Sequence, residues 1–201
     1  MRSLIPLLIL LLLCGPVSAA DENTLGIFYD ASASIDEISV NPGSQHTVYL
    51  VLLEPVNDSF DGGGLRTVDF VGGFECGILP PAGDYVLAVD FPLPTINIGD
   101  ASTIQAGYAS GLPVSSDGYV TLASLTVLTQ GDNPAGYHLS PVGTASVPGY
   151  MAYLDFEDPD DGIVTMLPVG GTFTNSVFRF GNWRVDEDAT WDEVKSLYRK
   201  R

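Results

Sequence analysis

"TVYLVLLE", residues 47–54, and its later counterpart "VTLASLTVL", residues 120–128, decide the fold. Strand side chains alternate between two faces. In the first stretch Val48, Leu50 and Leu52 point one way and Tyr49, Val51 and Leu53 the other. In the second, Leu122 and Leu128 lie on one face and Ala123, Leu125 and Val127 on the opposite one. Strands that are apolar on both faces belong in the middle of a sheet whose second face is also covered. The cover is a loop, a neighbouring sheet or a partner.

Short apolar runs of the same kind lie on either side, at 24–30, 34–40, 65–71, 84–91, 103–109, 136–140, 151–157, 162–168 and 171–180. They are rich in Val, Ile, Thr, Tyr and Phe, the residues that favour strands. "NPGS", "DGGG", "PPAGD", "SSDG", "QGDNPAG" and "DPDDG" separate them. Gly, Pro and Asp in such clusters set turns. About ten short strands at this spacing predict a single all-β domain, an antiparallel sandwich or barrel. No helical pattern appears before residue 189, and no internal repeat stands out.

The N-terminus reads as a targeting segment. Arg2 precedes the apolar run "LIPLLILLLL" at 4–13, and "VSAA" at 17–20 supplies the small residues a signal peptidase needs. The run is shorter than the roughly 20 residues of a membrane span. Residues 1–20 are therefore expected to be a cleaved secretory signal, and Leu13 before Cys14 is too bulky for a lipobox. The mature chain of about 180 residues is expected to be secreted (extracellular, periplasmic or cell-surface) with no transmembrane span. It is long enough for one core. Cys76 is then its only cysteine, so no internal disulfide forms. It is either a buried small hydrophobe or a thiol that pairs with another chain.

Charge is lopsided: 8 Lys and Arg against 25 Asp and Glu. Arg66 and Arg179 are the only basic residues between the signal and the tail, facing 20 acids between Asp21 and Asp161. Such a surface repels phosphate backbones, so no nucleic acid partner is expected. The acids either solvate a secreted protein or meet calcium or a basic partner.

Motifs of catalysis are sparse. "GYASG" at 107–111 has the wrong spacing for a nucleophile elbow. No Cys/His cluster fits zinc, and there is no phosphate loop. His46 and His138 stand in strands, where imidazoles more often serve structure. Two carboxylates suffice for a glycosidase, but Trp183 and Trp191 are the only tryptophans and both lie beyond the strand region. No enzyme is expected. "DFEDPDDG" at 155–162 is the densest acidic loop. It reads as a solvated turn or, with Asp155, Glu157, Asp158, Asp160 and Asp161 as oxygen ligands, as a calcium loop. Its spacing does not fit an EF-hand. No cofactor is expected, unless this loop takes calcium. "NDS" at 57–59 matches a glycosylation sequon.

"TVYLVLLEPVN" followed by a glycine patch and then "DGYVTLASLTVLT" resembles the cohesin-like and carbohydrate-binding-module-like β-sandwiches of exported bacterial proteins. "LGIFYD" at 25–30 and "YLDFEDPDDGIVTMLPVGG" at 153–171 also resemble exported proteins of environmental bacteria. The resemblance covers about residues 25–175 and implies a jelly-roll-like sandwich with a binding or scaffolding role. It carries over no catalytic residue. The lack of tryptophan before residue 183 speaks for a protein partner over a sugar stacked on an indole.

The chain closes on "ATWDEVKSLYRKR", residues 189–201. Thr190 and Glu193 form a capping box. Asp192 and Glu193 in the first turn and Arg199, Lys200 and Arg201 in the last complement the helix dipole. Trp191, Val194, Leu197 and Tyr198 make one apolar stripe. A helix of about a dozen residues is marginal alone, so the stripe needs a surface. That surface is the tail's own domain, a sorting factor or an anionic membrane face. The segment also resembles terminal tags of exported bacterial proteins, with Trp191, Val194, Leu197, Tyr198 and Arg199 as its recognition residues.

The expected organisation is a signal at 1–20, a sandwich at 21–180, a linker at 181–189 and a short amphipathic helix at 190–201. The expected function is a non-enzymatic binding or scaffolding module at or outside the cell surface, with a protein or polysaccharide partner. The alternatives are a structural subunit of a surface layer or appendage, coupled through Cys76 or an open sheet edge, and a carbohydrate-active enzyme.

Overall fold

The structure, a computed structural model, describes residues 22–59, 62–130, 135–158 and 162–182. The signal segment, Asp160, Asp161, the linker beyond Asn182 and the terminal helix with its recognition residues lie outside the described residues.

Every element among the described residues is a strand. In chain order they are β1 (Thr24–Phe28), β2 (Glu37–Val40), β3 (Ser44–Leu53), β4 (Val56–Asp58), β5 (Leu65–Thr67), β6 (Phe70–Leu79) and β7 (Tyr85–Asp90). Then come β8 (Thr95–Asn97), β9 (Thr103–Pro113), β10 (Tyr119–Thr129), β11 (His138–Ser140), β12 (Met151–Asp155), β13 (Ile163–Pro168) and β14 (Arg179–Asn182). No helix of the described residues is long and apolar enough to cross a membrane.

One sheet runs in the order β7-β10-β3-β1-β13-β12-β6-β9-β8, with β11 also paired to β6. β14 pairs with β2, and β4 with β5. The fold is all-β, as the strand pattern predicts, but the main sheet is mixed. β1 runs parallel to β13, and β14 parallel to β2. Alternation of side chains is the same in both directions, so the apolar pattern could not distinguish them.

The sheet curls until its two ends face each other, consistent with a sandwich-like fold. Tyr108 of β9 donates its hydroxyl to the Leu122 carbonyl of β10 at 2.6 Å, although those strands are not sheet neighbours. The ring of Phe74 on β6 lies 6.4 Å from that of Phe91, just past β7. Leu50, Leu52, Ile104, Leu122, Leu125 and Tyr153 fill the space between.

The two doubly apolar runs are central strands. β3 lies between β1 and β10, and β10 between β3 and β7. In β10 a bulge between Thr121 and Ala123 changes the expected faces. One extra residue resets the alternation. Leu122 and Ala123 are therefore both fully buried, together with Leu125 and Val127.

The second face of these strands is covered by the chain itself. Phe28 folds back over Gly26, which pairs with Val51; a Cβ on Gly26 would stand 2.5 Å from the ring. Beside it the 29–35 loop crosses to β10, where Thr121 Oγ1 donates to the Ala31 carbonyl at 3.2 Å.

Asp30 holds that loop. Its carboxylate accepts from Ser32 Oγ, from Ser34 Oγ at 2.9 Å, from Ser34 N at 3.1 Å and from Ile35 N at 2.7 Å. Desolvation opposes ionisation, but these bonds outweigh it and lower the Asp30 pKa to about 2. A depressed acid contributes stability above its unfolded pKa, about 3.9, and loses it as the pH falls through the folded value. Asp30→Asn should therefore lower the melting temperature at pH 5 and have no effect near pH 1.5. The wild-type Asp30 carboxyl carbon should titrate by NMR near pH 2; a midpoint near 4 would mean that the loop bonds do not form in solution.

Candidate binding groove

The residues around Asp155 form a closed polar cluster. The β4–β5 hairpin sets Asn57 opposite Arg66, and both reach Asp155. Asn57 Nδ2 donates to Asp155 Oδ2 at 3.0 Å, and Arg66 Nη2 pairs with the same oxygen. The backbone N–H of Glu157 donates to Asp155 Oδ1 at 3.1 Å, and Glu157 Oε2 stands 3.9 Å from Arg66 Nη1. Asp155 is fully buried, so its charge is compensated by a guanidinium rather than by water. Of the acids proposed for calcium, the structure brings Asp155 and Glu157 to Arg66 and starts the turn at Asp158, whose N–H donates to the Asp155 carbonyl at 3.3 Å. Among the described residues no three His, Cys, Asp or Glu gather as a metal site. The sequon's Asn57 spends its amide on Asp155.

The other sequence candidates lie apart. His46 sits between the rings of Tyr29 and Phe180 and within 2.7 Å of Ser44 Oγ. Burial lowers its pKa. His138 Nε2 is 3.1 Å from the Ala135 carbonyl. Cys76 is completely buried on the core side of β6. Burial and the adjacent Glu75 push its thiol far above the usual range. It is the small-hydrophobe alternative that the structure supports.

A concave surface lies on the outer face of the β8-β9-β6-β12-β13 half of the sheet. Its geometry follows from register. On β9, Ile104, Ala106 and Tyr108 turn inward, which leaves Gln105 and Gly107 outward. Gly107 pairs with Ile96 on one side and Gly73 on the other. Gly73 pairs with Leu154, and Leu154 with Ile163. The resulting cross-strand row reads Ile96–Gly107–Gly73–Leu154–Ile163. Two central positions carry no side chain, and the flanks carry branched aliphatic ones. Three strand spacings separate β8 from β12, about 14 Å. The result is a groove of about 330 Å³. On the β8 side Ile98 walls it; Ile96 and Ile98 are 76% and 77% exposed.

The two floor glycines have different reasons to be glycine. A Cβ on Gly73 would stand 2.4 Å from the Ala106 carbonyl oxygen, so the packing of β6 on β9 forbids a side chain there. A Cβ on Gly107 would meet nothing within 4 Å, and Gly107 has no positive φ. Neither backbone conformation nor crowding calls for glycine at 107. A glycine inside a strand weakens it, by about 0.5–1 kcal/mol relative to alanine, and often marks close approach of a ligand or another backbone.

One end of the groove is polar. In the next cross-strand row Gln105 faces Glu75 and Glu75 faces Ala152. Glu75 is only 7% exposed. The loop after β11 folds over it: Ser146 N donates to Oε1 at 2.6 Å and Ser146 Oγ to Oε2 at 3.2 Å. Gln105 Nε2 donates to the Thr144 carbonyl at 3.3 Å in the same loop. Among the described residues Glu75 forms no ion pair. The arrangement offers an aliphatic slot with an anionic end, and neither histidine lines it. Sequence reasoning missed the groove. Its only trace was the glycines of "VGGF" at 71–74, just past one apolar run, and of "QAGY" at 105–108, inside another.

Neither family models, curated proteins nor solved structures match this chain.

Proposed function

We propose that the chain is a secreted, non-enzymatic binding module of the jelly-roll-like sandwich type, which holds a partner at or outside the cell surface in the β6–β9 groove. The observation that carries this reading is Gly107, a strand glycine that the fold itself does not require and whose effect is to leave the groove floor bare. Signal-like residues 1–20 and the acidic composition support an exported protein. The aliphatic walls support a protein partner more than a sugar, in keeping with the cohesin-like side of the resemblance. Gly107→Val fills the floor without touching the core. Wild-type protein is expected to retain a defined partner from the native secretome, or a defined glycan on an array, that Gly107→Val loses while melting at the same temperature. Identical retention by both proteins would sink the reading.

The alternative of a structural subunit draws on one observation, the short edge strand β8 with exposed Ile96 and, just past it, Ile98; its outer edge pairs with no other strand among the described residues. The buried Cys76 offers no coupling point for it. Concentration-dependent assembly that Ile96→Lys abolishes would favour that subunit over the binding module.

The terminal residues 186–201 belong to the same proposal as a sorting or docking tail. Deleting them is expected to leave the melting temperature nearly unchanged and to alter where the protein appears on cell fractionation. A drop of several degrees with unchanged location would make the tail a packing element.

A further inference from the structure

Resting on the groove as the binding site, we infer that its ligand is an extended polypeptide segment carrying a lysine or arginine between small or aliphatic residues. The basic side chain lies along the glycine floor with its charged end at Glu75. Three observations point to this chemistry.

The first is the uncompensated acid. Glu75 is nine-tenths buried, and among the described residues its carboxylate is met only by the Ser146 N–H and hydroxyl. Arg66 and Arg179 are the only Lys or Arg among the described residues, and Arg66 is committed to Asp155 and Glu157. A neutral ligand that sealed the groove would strip Glu75 of its remaining water with no return, whereas a cation would pair it.

The second is the shape of the approach. From the bare floor at Gly107 and Gly73 to the row of Gln105 and Glu75 is two residues along the strands, about 6.8 Å. A lysine, with its ammonium at the end of a four-carbon stem, reaches most of that distance when extended. Long basic side chains lay their methylenes on apolar surface and keep the charge at a polar end. Ile98, Leu154 and Ile163 supply that surface.

The third is long-range charge. The chain carries a net charge of −17, which draws a basic segment in and repels an acidic one. A sugar ring fits less well, because the exposed walls are aliphatic and the rings of Phe74 and Tyr153, which also line the groove, are buried on the core side.

The test is an NMR titration of the ¹⁵N-labelled full chain with the capped peptide Thr-Val-Lys-Val-Thr and its norleucine and glutamate counterparts. The lysine peptide should shift the amide signals of Gly73, Gly107, Gln105 and Ala152 saturably. The norleucine peptide should bind at least tenfold more weakly and the glutamate peptide not at all. Glu75→Gln, which keeps an acceptor for Ser146 N, should reduce lysine-peptide affinity at least tenfold, and Gly107→Val should abolish it. Equal binding of lysine and norleucine peptides by the wild-type protein would overturn the inference whatever the variants do, as would the absence of shifts at these residues. Either result leaves the binding-module reading standing if Gly107→Val still loses the secretome or glycan partner. That reading fails separately, if Gly107→Val retains the partner.

Discussion

Arg66→Ala is expected to lower the melting temperature by roughly 6–12 °C, the largest loss from removing a single side-chain interaction in this domain. The substitution leaves Asp155, fully buried in the wild type, with only Asn57 Nδ2 and the Glu157 N–H among the described residues to hold its charge. Breaking a buried pair from one side costs about 3–5 kcal/mol, because the remaining charge is uncompensated. The Arg66 side chain is itself 18% exposed, so the lower end, about 3 kcal/mol, applies. In a domain of this size each kcal/mol moves the transition by roughly 2–4 °C. The double variant Arg66→Met, Asp155→Leu should recover more than half of the loss, since well-packed apolar replacements of buried pairs are often neutral. Thermal melts of wild type, Arg66→Ala and the double variant decide the matter. A single variant that melts with the wild type would show that the cluster is hydrated in solution.

The second large effect separates two paired glycines. Gly73→Ala should cost about 3 kcal/mol, the upper end for forcing atoms into a packed site. Its Cβ meets a backbone oxygen at 2.4 Å, and backbone cannot swing aside as the end of a side chain can. Gly107→Ala, directly opposite, should be neutral or stabilising by about 0.5–1 kcal/mol, because its methyl enters open groove and removes a strand glycine's entropy penalty. The same chemical change at adjacent points thus has opposite signs. Denaturant unfolding of the two variants reads both at once. If Gly107→Ala destabilises as much as Gly73→Ala, the floor is filled by the fold itself and the groove has no free volume for a partner.

Much of the fold was legible because burial on both sides of a strand writes itself into composition. β3 and β10 could be placed at the sheet centre from their apolar faces alone, and turn clusters marked most of the strand ends. β6 was missed beyond Val71 for an equally physical reason. Gly72, Gly73 and Gly77 depress strand propensity, yet β6 is the strand on which β9, β11 and β12 all pair. Its glycines are there because neighbours approach closely: Ala106 O over Gly73 and Ser140 Oγ over Gly77. Local propensity cannot register contacts with residues so far along the chain, 33 positions for Ala106 and 63 for Ser140.

What the sequence alone determined is therefore the local and additive part: strands rather than helices, the acidic balance, a lone cysteine and the central place of the two doubly apolar runs. Tertiary structure decided whatever depends on which strand lies beside which. It set the parallel junction of β1 with β13 and the bulge that buries Leu122 beside Ala123. It gave Asp155 a guanidinium partner. It also put Gly107 against Gly73 between rows of isoleucine and leucine, with Glu75 at the end. Pairing and register are relations between distant segments, and a period-two pattern carries no record of either.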